Sequence, residues 1–447
     1  MSLKASISGI RGIVGDSLTP QILTDYLSAF SMILPEGAIL IGRDSRVTGD
    51  MITDIVCGVM NFCGRDVVDI GIVPTPVVLF GVADNNYAGG IVVTASHNPL
   101  EWNALKLVNS KGKFISPAEF AKLSELYNKK EFKYAGYDKI GKRRAGADIP
   151  NIHIKKVSNM IDKEKVKKKR LRVALDTVNG AGGEHTIKLL KEFGCQIEAI
   201  NIEPTGYFSH PPEPTPANLV AFTDFIKTKS VDIGFALDPD GDRLVLADSD
   251  GTILSEEYTL ALAVSQYFKR GGKTDVVINT STSRMVEEVV KKYGGRTFRV
   301  PTGEINVTEK MEEIGSKIGG EGNGGVIFPE VNKCRDASVG IALILEALSM
   351  ENKGIKDLAS EIPKYTFVKE KYSASGVDIK ALEEKLRARY KEGIFDTQDG
   401  IRIDFKSSWA LIRLSNTEPI ARVFVEAEDG NSAEELIREI SVLCGFK

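Results

Sequence analysis

Three stretches of the chain repeat one pattern, a short β-branched strand, a polar or Gly-rich turn and an amphipathic helix. The predicted strands cover residues 38–42, 171–175 and 275–278, and the helices that follow them cover about 51–62, 184–193 and 284–293. Alternating units of this kind build layered α/β domains, with functional loops at the carboxyl ends of the strands. Three strand–turn–helix units, well separated along the chain, therefore predict three α/β domains in series.

The last part of the chain differs. Residues 400–406, 409–414 and 420–427 indicate an antiparallel meander, and a helix is predicted over 432–443. The sequence thus predicts a smaller α+β domain at the end of the chain. The predicted domains are 1–155, 156–253, 254–365 and 366–447.

Charge and cysteine usage exclude several classes of protein. The 447 residues contain 58 Lys and Arg against 61 Asp and Glu, which gives no net attraction to nucleic acid or an anionic membrane. A basic run at 163–170 is typical of a solvated linker or helix end. Five scattered cysteines without a CxxC pair favour reduced thiols. With no signal-like start and no apolar run of about 18 residues, a soluble cytoplasmic protein is expected.

The stretch GGIVVTASHNP, residues 89–99, places a serine directly after an apolar run. Ser96 could simply end a strand, because Asn-Pro turns the chain out of regular structure. It could also be a nucleophile or a phosphate carrier, with His97 beside it.

The stretch ALDPDGDRLVLAD, residues 236–248, offers Asp238, Asp240 and Asp242 on a bent loop after an apolar strand. Oxygen ligands of this kind suit a hard divalent cation, and Mg²⁺ is the usual one beside phosphate. An EF-hand is excluded, because its glycine is sixth and its glutamate twelfth, whereas Gly241 is fourth here and the twelfth residue is Ser249. A solvated acidic turn is the alternative.

The stretch GGEGNGG, residues 319–325, contains a literal G-x-G-x-x-G, but a helical segment precedes it and a β-like run follows. This order is the reverse of a dinucleotide fingerprint. We expect a flexible loop in which Glu321 and Asn323 could hold vicinal sugar hydroxyls; a plain surface loop is the alternative.

Two further stretches bring cations together with small residues. In IRLSNTEPIAR, residues 412–422, Arg413 and Arg422 flank a Ser-Asn-Thr turn, a combination suited to binding phosphate. In SISGIRGIVG, residues 6–15, Arg11 lies between glycines that allow close backbone approach to a ligand. Phosphoryl transfer needs a residue that carries the phosphate, a metal ion, and cations that contact the phosphoryl oxygens. It also needs residues that bind the part of the substrate that does not react.

The motifs TASHNP, DPDGDR, GEGNGG and RLSNTEP occur in the order and approximate spacing of the α-D-phosphohexomutase family, which the chain resembles over essentially its whole length. The resemblance implies four domains around a central cleft, three α/β and one α+β. It implies that Ser96 carries a phosphoryl group, and that Mg²⁺ binds Asp238, Asp240 and Asp242 together with that phosphate.

The resemblance also implies the reaction, in which phosphate moves between O6 and O1 of a hexose through a hexose 1,6-bisphosphate that turns around in the cleft. The implied roles fall into two groups. Stabilisation of charge or acid/base catalysis falls to Arg11, Lys106, His97 and Arg243. Binding of the sugar and of the phosphate that is not reacting falls to Glu321, Asn323, Glu304, Arg413, Ser415, Asn416, Thr417 and, as a weaker candidate, Arg422.

Two departures from the family bear on the sugar. Asn323 stands where many bacterial members have serine, and Glu304, in VPTGEINV, stands where some phosphomannomutase/phosphoglucomutase enzymes have histidine. The SISGIRG start favours phosphoglucosamine mutase, with phosphomannomutase/phosphoglucomutase as the alternative. A monomer or homodimer is expected.

Three other classes compete with a mutase. A serine hydrolase is disfavoured, because Ser96 lacks a G-x-S-x-G elbow. A Mg²⁺-dependent phosphatase would release inorganic phosphate, and a non-catalytic sugar-phosphate binding protein would keep its function without Ser96.

Overall fold

The computed structural model describes residues 3–146, 148–374, 377–414 and 420–446. Its first domain is built on a seven-stranded mixed sheet with strand order β1-β2-β6-β5-β3-β4-β7. The strands are β1 (Lys4–Ser6), β2 (Gly9–Ile13), β3 (Ile39–Arg43), β4 (Val67–Ile72), β5 (Gly89–Val93), β6 (Trp102–Val108) and β7 (Arg143–Ala145). The helices are α1 (Pro20–Ile33), α2 (Gly49–Phe62), α3 (Thr75–Asp84) and α4 (Pro117–Lys129), with a 3₁₀ turn at Tyr137–Lys139.

The second domain has a four-stranded sheet. Its elements are α5 (Ile149–Ser158), α6 (Lys163–Lys169), β8 (Arg172–Asp176), α7 (Gly182–Glu192), β9 (Gln196–Ile200), α8 (Val220–Lys227), β10 (Ile233–Leu237) and β11 (Leu244–Ala247). The strand order is β11-β10-β8-β9, with β8 parallel to both β9 and β10. The antiparallel pair β10 and β11 encloses the acidic loop.

The third domain has a five-stranded sheet with order β13-β12-β14-β15-β16. Its strands are β12 (Val276–Asn279), β13 (Thr297–Val300), β14 (Gly319–Glu321), β15 (Gly325–Phe328) and β16 (Asn332–Arg335). Its helices are α9 (Glu257–Lys269), α10 (Arg284–Lys292), α11 (Glu304–Ile314), α12 (Ala337–Glu351) and α13 (Ile355–Ser360).

The fourth domain is an antiparallel sheet with order β17-β21-β20-β19-β18. Its elements are β17 (Thr366–Ser373), α14 (Ile379–Arg389), β18 (Ile394–Asp396), β19 (Ile401–Asp404), β20 (Ser408–Leu414), β21 (Ile420–Ala427) and α15 (Gly430–Cys444). The prediction of three α/β domains and a final α+β domain is confirmed.

Local sequence explains where several helices begin. The hydroxyl of Thr19 accepts the backbone N–H of Ile22, and Pro20 occupies the first turn of α1, where its missing N–H costs nothing. Ser116 and Glu119 form a reciprocal capping box at the start of α4. The basic run forms the whole of the short helix α6, with Arg170 as its C-cap, and is neither a linker nor the end of a longer helix.

The prediction of a flexible loop at 319–325 is wrong. Residues 319–321 and 325–328 form the antiparallel hairpin β14–β15, in which Glu321 pairs with Gly325. The glycines permit this close packing, because a Cβ at Gly320 would lie 2.1 Å from the carbonyl oxygen of Gly325, and one at Gly324 would lie 2.4 Å from that of Leu244. Glu321 therefore ends a paired strand, and Asn323 lies in the tight turn of the hairpin.

The second and third domains share one hydrophobic core. Buried apolar residues run without interruption from the β8 sheet through α9 and the β12 sheet to α12 and α13. The first and fourth domains have clusters of their own. The first domain also contacts the third, since α3 packs against β16 and buried Cys334 joins its apolar cluster.

The third and fourth domains meet through polar contacts. Arg402 donates to the carbonyl of Thr280 at 2.6 Å, and Asp399 accepts the backbone N–H of Thr302 at 2.8 Å. Arg284 donates its backbone N–H to Glu426 at 2.9 Å. Among the described residues, no helix combines the length and apolar character needed to cross a membrane.

Candidate active site

Ser96 follows β5 in a left-handed backbone conformation, with φ of +51°. This conformation is unfavourable for every residue except glycine and is retained only where surrounding contacts enforce it. The backbone N–H of Ser96 donates to the hydroxyl of Thr94 at 2.9 Å. The Ser96 hydroxyl lies 3.1 Å from Oδ2 of Asp238 and 3.4 Å from Nδ1 of His97.

Arg46 holds the Ser96 loop in place. Its buried guanidinium donates to the carbonyls of Ser96 and Asn98, both at 2.7 Å, and to those of two further loop residues, Pro99 and Trp102. Asp44 balances its charge by accepting Nε at 3.1 Å. Since a lone buried charge is costly, this fully bonded pair makes the loop a defined platform.

The acidic loop between β10 and β11 brings three carboxylates together. One oxygen atom from each of Asp238, Asp240 and Asp242 lies within 4.8 Å of the others, and all three residues are buried. Gly241 adopts φ of +65°, and the backbone N–H groups of Asp242 and Arg243 both donate to Oδ1 of Asp238 at 3.2 Å. The chain is thus folded around the carboxylates.

The triad has the character of a cation site. Oδ1 of Asp240 and Oδ1 of Asp242 are buried and have no hydrogen-bond partner among the described residues. Burial and the neighbouring charges of Asp242 and Asp240 raise the pKa of Asp238 well above its usual range. Since buried acceptors without partners are costly, the arrangement fits a divalent cation with oxygen ligands.

The remaining oxygen of Asp240 is held by groups of the first domain. Lys106, on β6, donates to Oδ2 at 2.6 Å, and the hydroxyl of Thr75 donates to the same atom at 2.6 Å. Burial opposes the charge of Lys106, but Asp240 and Asp242 raise the pKa of this amine. Lys106 therefore stays cationic next to the acidic loop.

The other predicted cations and His97 surround Ser96. Arg11, on β2, donates to Oδ1 of Asn98 at 2.8 Å. Nε of Arg243 lies 4.0 Å from Oδ2 of Asp238 and 3.8 Å from Oδ1 of Asp242. The charge of Arg243, burial and the charge of Arg11 lower the pKa of His97 well below its usual value, so its imidazole is neutral at neutral pH.

The predicted sugar residues lie together on the third domain. Glu321 accepts from Asn279 at 2.8 Å and from the backbone N–H of Gly303 at 3.1 Å through Oε1. Asn323 donates to Oε2 of Glu321 at 3.4 Å and keeps its buried Oδ1 unpartnered among the described residues. Burial raises the pKa of Glu304 to about 7, although the charge of Arg335 opposes this shift.

The predicted phosphate clamp is described in part. Arg413 and Arg422 face each other in register on β20 and β21. Arg422 lines the cleft, whereas Nε of Arg413 donates to Asp399 at 3.0 Å. Ser415, Asn416 and Thr417 lie outside the described residues.

One cavity of about 410 Å³ joins these groups. Its lining comes from the first, second, third and fourth domains and includes these predicted residues: Arg11, Ser96, His97, Lys106, Arg243, Glu304, Glu321, Asn323 and Arg422. The volume is of the order of a small-molecule site. The Ser96 side chain, several cations and two carboxylates therefore line one cleft.

Sequence reasoning missed Arg46, Asp44, Thr75 and Arg335. None of them belongs to a recognisable motif, and although Asp44 and Arg46 pair with each other, the groups that these residues position lie far away in the chain. The signal that could have found them is weak: Asp44 and Arg46 follow a predicted strand, and Arg335 precedes a helix with Asp336 at its N-cap. Only the fold shows what these side chains contact.

Four family models cover most of the chain. They are phosphoglucomutase/phosphomannomutase alpha/beta/alpha domain I at residues 3–134, domain II at 151–251, domain III at 255–365 and the C-terminal domain at 368–441. A phosphoglucomutase/phosphomannomutase of Thermococcus kodakarensis is 36% identical over 437 residues, which are 96% of this chain and 95% of that protein.

Two more proteins extend the comparison. A probable phosphoglucosamine mutase of Methanopyrus kandleri is 33% identical over 434 residues, covering 96% of this chain and 95% of its own. The crystal structure of a phosphoglucomutase/phosphomannomutase family protein from Burkholderia thailandensis agrees in fold, with a TM-score of 0.84 at 24% identity, and covers 99% of this chain and 98% of that one. The chain therefore belongs to the phosphoglucomutase/phosphomannomutase family of phosphohexomutases and is an isomerase of that class.

Proposed function

We propose that the protein interconverts a hexose 6-phosphate and a hexose 1-phosphate through phosphoserine 96 and a hexose 1,6-bisphosphate. The observation that carries the proposal is the position of the Ser96 hydroxyl, 3.1 Å from the buried acidic triad and open to the cleft. A phosphoryl carrier beside a cation site is the arrangement that phosphoryl transfer needs.

In the first half-reaction a hydroxyl of the bound sugar attacks the phosphorus on Ser96. The new sugar oxygen–phosphorus bond forms as the bond to the serine oxygen breaks. The attacking hydroxyl gives up its proton and the departing serine oxygen takes one up, so the number of protons is unchanged. Arg11 and Lys106 are the acid/base candidates. The raised pKa of Lys106 makes stabilisation of charge its stronger role.

The cation site would be formed by Asp238, Asp240 and Asp242 with the phosphate on Ser96. Mg²⁺ bound there would neutralise negative charge on the transferring phosphoryl group. Arg243 supplies further positive charge from the same loop, because its Nε lies within 4.0 Å of two of the carboxylates.

In the second half-reaction the bisphosphate turns around and returns its other phosphate to Ser96. The site must then hold the sugar in two orientations. Glu321, Asn323 and Glu304 would bind the sugar hydroxyls, while Arg413, Ser415, Asn416, Thr417 and, as a weaker candidate, Arg422 would hold the phosphate that is not reacting.

For the sugar, we favour glucosamine 6-phosphate, with mannose and glucose phosphates as the alternative. The SISGIRG start of the chain supports the amino sugar. A relative at 33% identity is named as a probable phosphoglucosamine mutase and one at 36% as a phosphoglucomutase/phosphomannomutase, so both classes have support.

The experiment is phosphorus NMR of the purified protein with Mg²⁺ and a trace of hexose 1,6-bisphosphate. Glucosamine, mannose and glucose 6-phosphates are supplied separately. A growing sugar 1-phosphate signal is expected, and the relative rates identify the sugar. Release of inorganic phosphate alone would indicate a phosphatase. Binding without turnover, by protein with phosphate confirmed on Ser96, would indicate a binding protein.

A further inference from the structure

Arg335, the last residue of β16, is a buried cation on the wall of the cleft. Each of its three guanidinium nitrogens contacts a different carboxylate. Nε lies 2.9 Å from Glu304, Nη1 lies 2.8 Å from Glu321, and Nη2 lies 2.6 Å from Oδ2 of Asp242. Three of the five N–H donors of this planar group are thus engaged in ion pairs.

The three carboxylates come from different parts of the chain and serve different subsites. Glu304 begins α11 and Glu321 ends β14, so both lie at the sugar side of the cleft. Asp242 lies on the acidic loop of the second domain. A rigid guanidinium fork between them fixes the distance between the sugar carboxylates and the cation site.

Arg335 also determines which oxygen of Asp242 is left for a cation. Oδ2 accepts from Arg335, whereas Oδ1 is buried, has no hydrogen-bond partner among the described residues and lies 3.8 Å from Nε of Arg243. A guanidinium stays protonated, so it offsets one negative charge of the triad at short range. The triad with Arg335 must therefore attract a divalent cation less strongly than the triad alone.

We propose that Arg335 is a positioning residue with two linked effects. It holds Glu304 and Glu321 in the orientation that binds the sugar, and it lowers the affinity of Asp238, Asp240 and Asp242 for the divalent cation. The first effect rests on the proposed function, while the second concerns the protein and the metal alone.

The two effects have opposite signs when the arginine is removed. In Arg335→Gln the sugar carboxylates lose their anchor, so KM for hexose phosphate rises, whereas the acidic triad loses a neighbouring positive charge, so cation binding tightens. Damage to the structure alone would weaken both kinds of binding. This difference separates positioning from general loss of packing.

The first measurement is Mn²⁺ binding to the purified protein without sugar, followed by electron paramagnetic resonance of the free ion. We expect Arg335→Gln to lower the Kd by about tenfold or more, as loss of one charge a few ångströms from the site implies. Arg335→Lys, which keeps the charge and loses the fork, should leave the Kd within about threefold of the wild-type value. Arg296→Gln, at an exposed ion pair with Asp275, is the control for net charge.

The second measurement is steady-state turnover of the same variants. Both substitutions of Arg335 should raise KM by about tenfold or more and change kcat less. An unchanged or higher Mn²⁺ Kd in folded Arg335→Gln would overturn the cation effect, and an unchanged KM would overturn the sugar effect. If wild-type protein shows no mutase turnover, the proposed function fails, while the Mn²⁺ result still decides the charge argument.

Discussion

Two domain junctions are held together by different interactions: the one between the second and third domains, and the one between the third and fourth. The first is a continuous apolar core in which β10, α9 and α12 pack together. The second consists of hydrogen bonds and ion pairs, such as those of Arg402, Asp399 and Arg284. Apolar burial fixes relative position, whereas polar contacts exchange with water at small net cost.

The two kinds of junction suit two different roles, a fixed site geometry and a domain movement. The acidic loop and the sugar hairpin lie on either side of the apolar junction, so their geometry is set when these domains fold. The fourth domain brings Arg422 to the cleft across the polar junction. We therefore expect a rigid chemical platform and a last domain that moves to admit and release substrate, with its hinge near residue 365.

Ser96→Ala tests the chemistry carried out at the cleft and has the largest expected effect. Without the phosphate carrier, mutase turnover should fall by at least ~10³-fold while the fold is retained. The assay is formation of sugar 1-phosphate. Ser124→Ala, on α4, where the hydroxyl donates to the carbonyl of Phe120, is the matched control. Turnover near the wild-type level in Ser96→Ala would exclude the serine as the carrier.

Glu304→Gln tests the electrostatics of the sugar side. The pKa of Glu304 is raised to about 7 by burial, against the opposing charge of Arg335, while Asp242, Glu321 and Lys106 also act on it. The unfolded chain then releases this proton at lower pH than the folded chain, so the wild-type protein loses stability as pH rises from about 4.5 to about 7.

Relative to the wild type, Glu304→Gln should therefore gain about 3 kcal/mol in free energy of unfolding between pH 4.5 and 7, and no more above that range. Urea unfolding in the presence of a chelator measures this difference. Glu313→Gln, at an exposed position on the same helix, is the control. Parallel stability curves for Glu304→Gln and wild type would show that the carboxyl titrates alike in both states.

Asp399→Asn tests the polar junction. Asp399 accepts from Thr302 and Thr280 of the third domain and from Arg413 of its own. Loss of its charge should raise KM by about threefold to tenfold and change kcat less, since each charged hydrogen bond contributes about 1.5–3 kcal/mol at most. Asp396→Asn, on β18 and bonded to Gln398, is the control.

Solution scattering with and without hexose 1,6-bisphosphate checks the movement itself. A smaller radius of gyration with ligand is expected. Identical profiles in both conditions would count against the hinge near residue 365.

Lys168→Ala has the smallest expected effect. The residue belongs to the basic helix α6, remote from the cleft, and surface substitutions of this kind change stability by less than about 0.5 kcal/mol. Turnover and unfolding should match the wild type. A marked loss of activity would show that the basic segment has a role in catalysis or binding, which its position on an exposed helix does not predict.

Periodicity predicted the layered domains well, because buried strands and amphipathic helices leave a local pattern. Motif analysis, not periodicity, identified the TASHNP and DPDGDR segments, whose residues are close in the chain. It missed Arg46 and Arg335, because a buried arginine is defined by partners tens of residues away. The turn at Glu321 and Asn323 was misjudged, since its glycines serve close strand pairing rather than mobility.

The common core of the second and third domains limits which domains can be exchanged between related proteins. A chain cut near residue 253 would expose apolar surface on both pieces, so either domain alone should be a poor unit for transplantation. The fourth domain has a core of its own and meets the rest through polar groups. Inheritance by domain shuffling should therefore pass the second and third domains on together, while the fourth can be replaced singly.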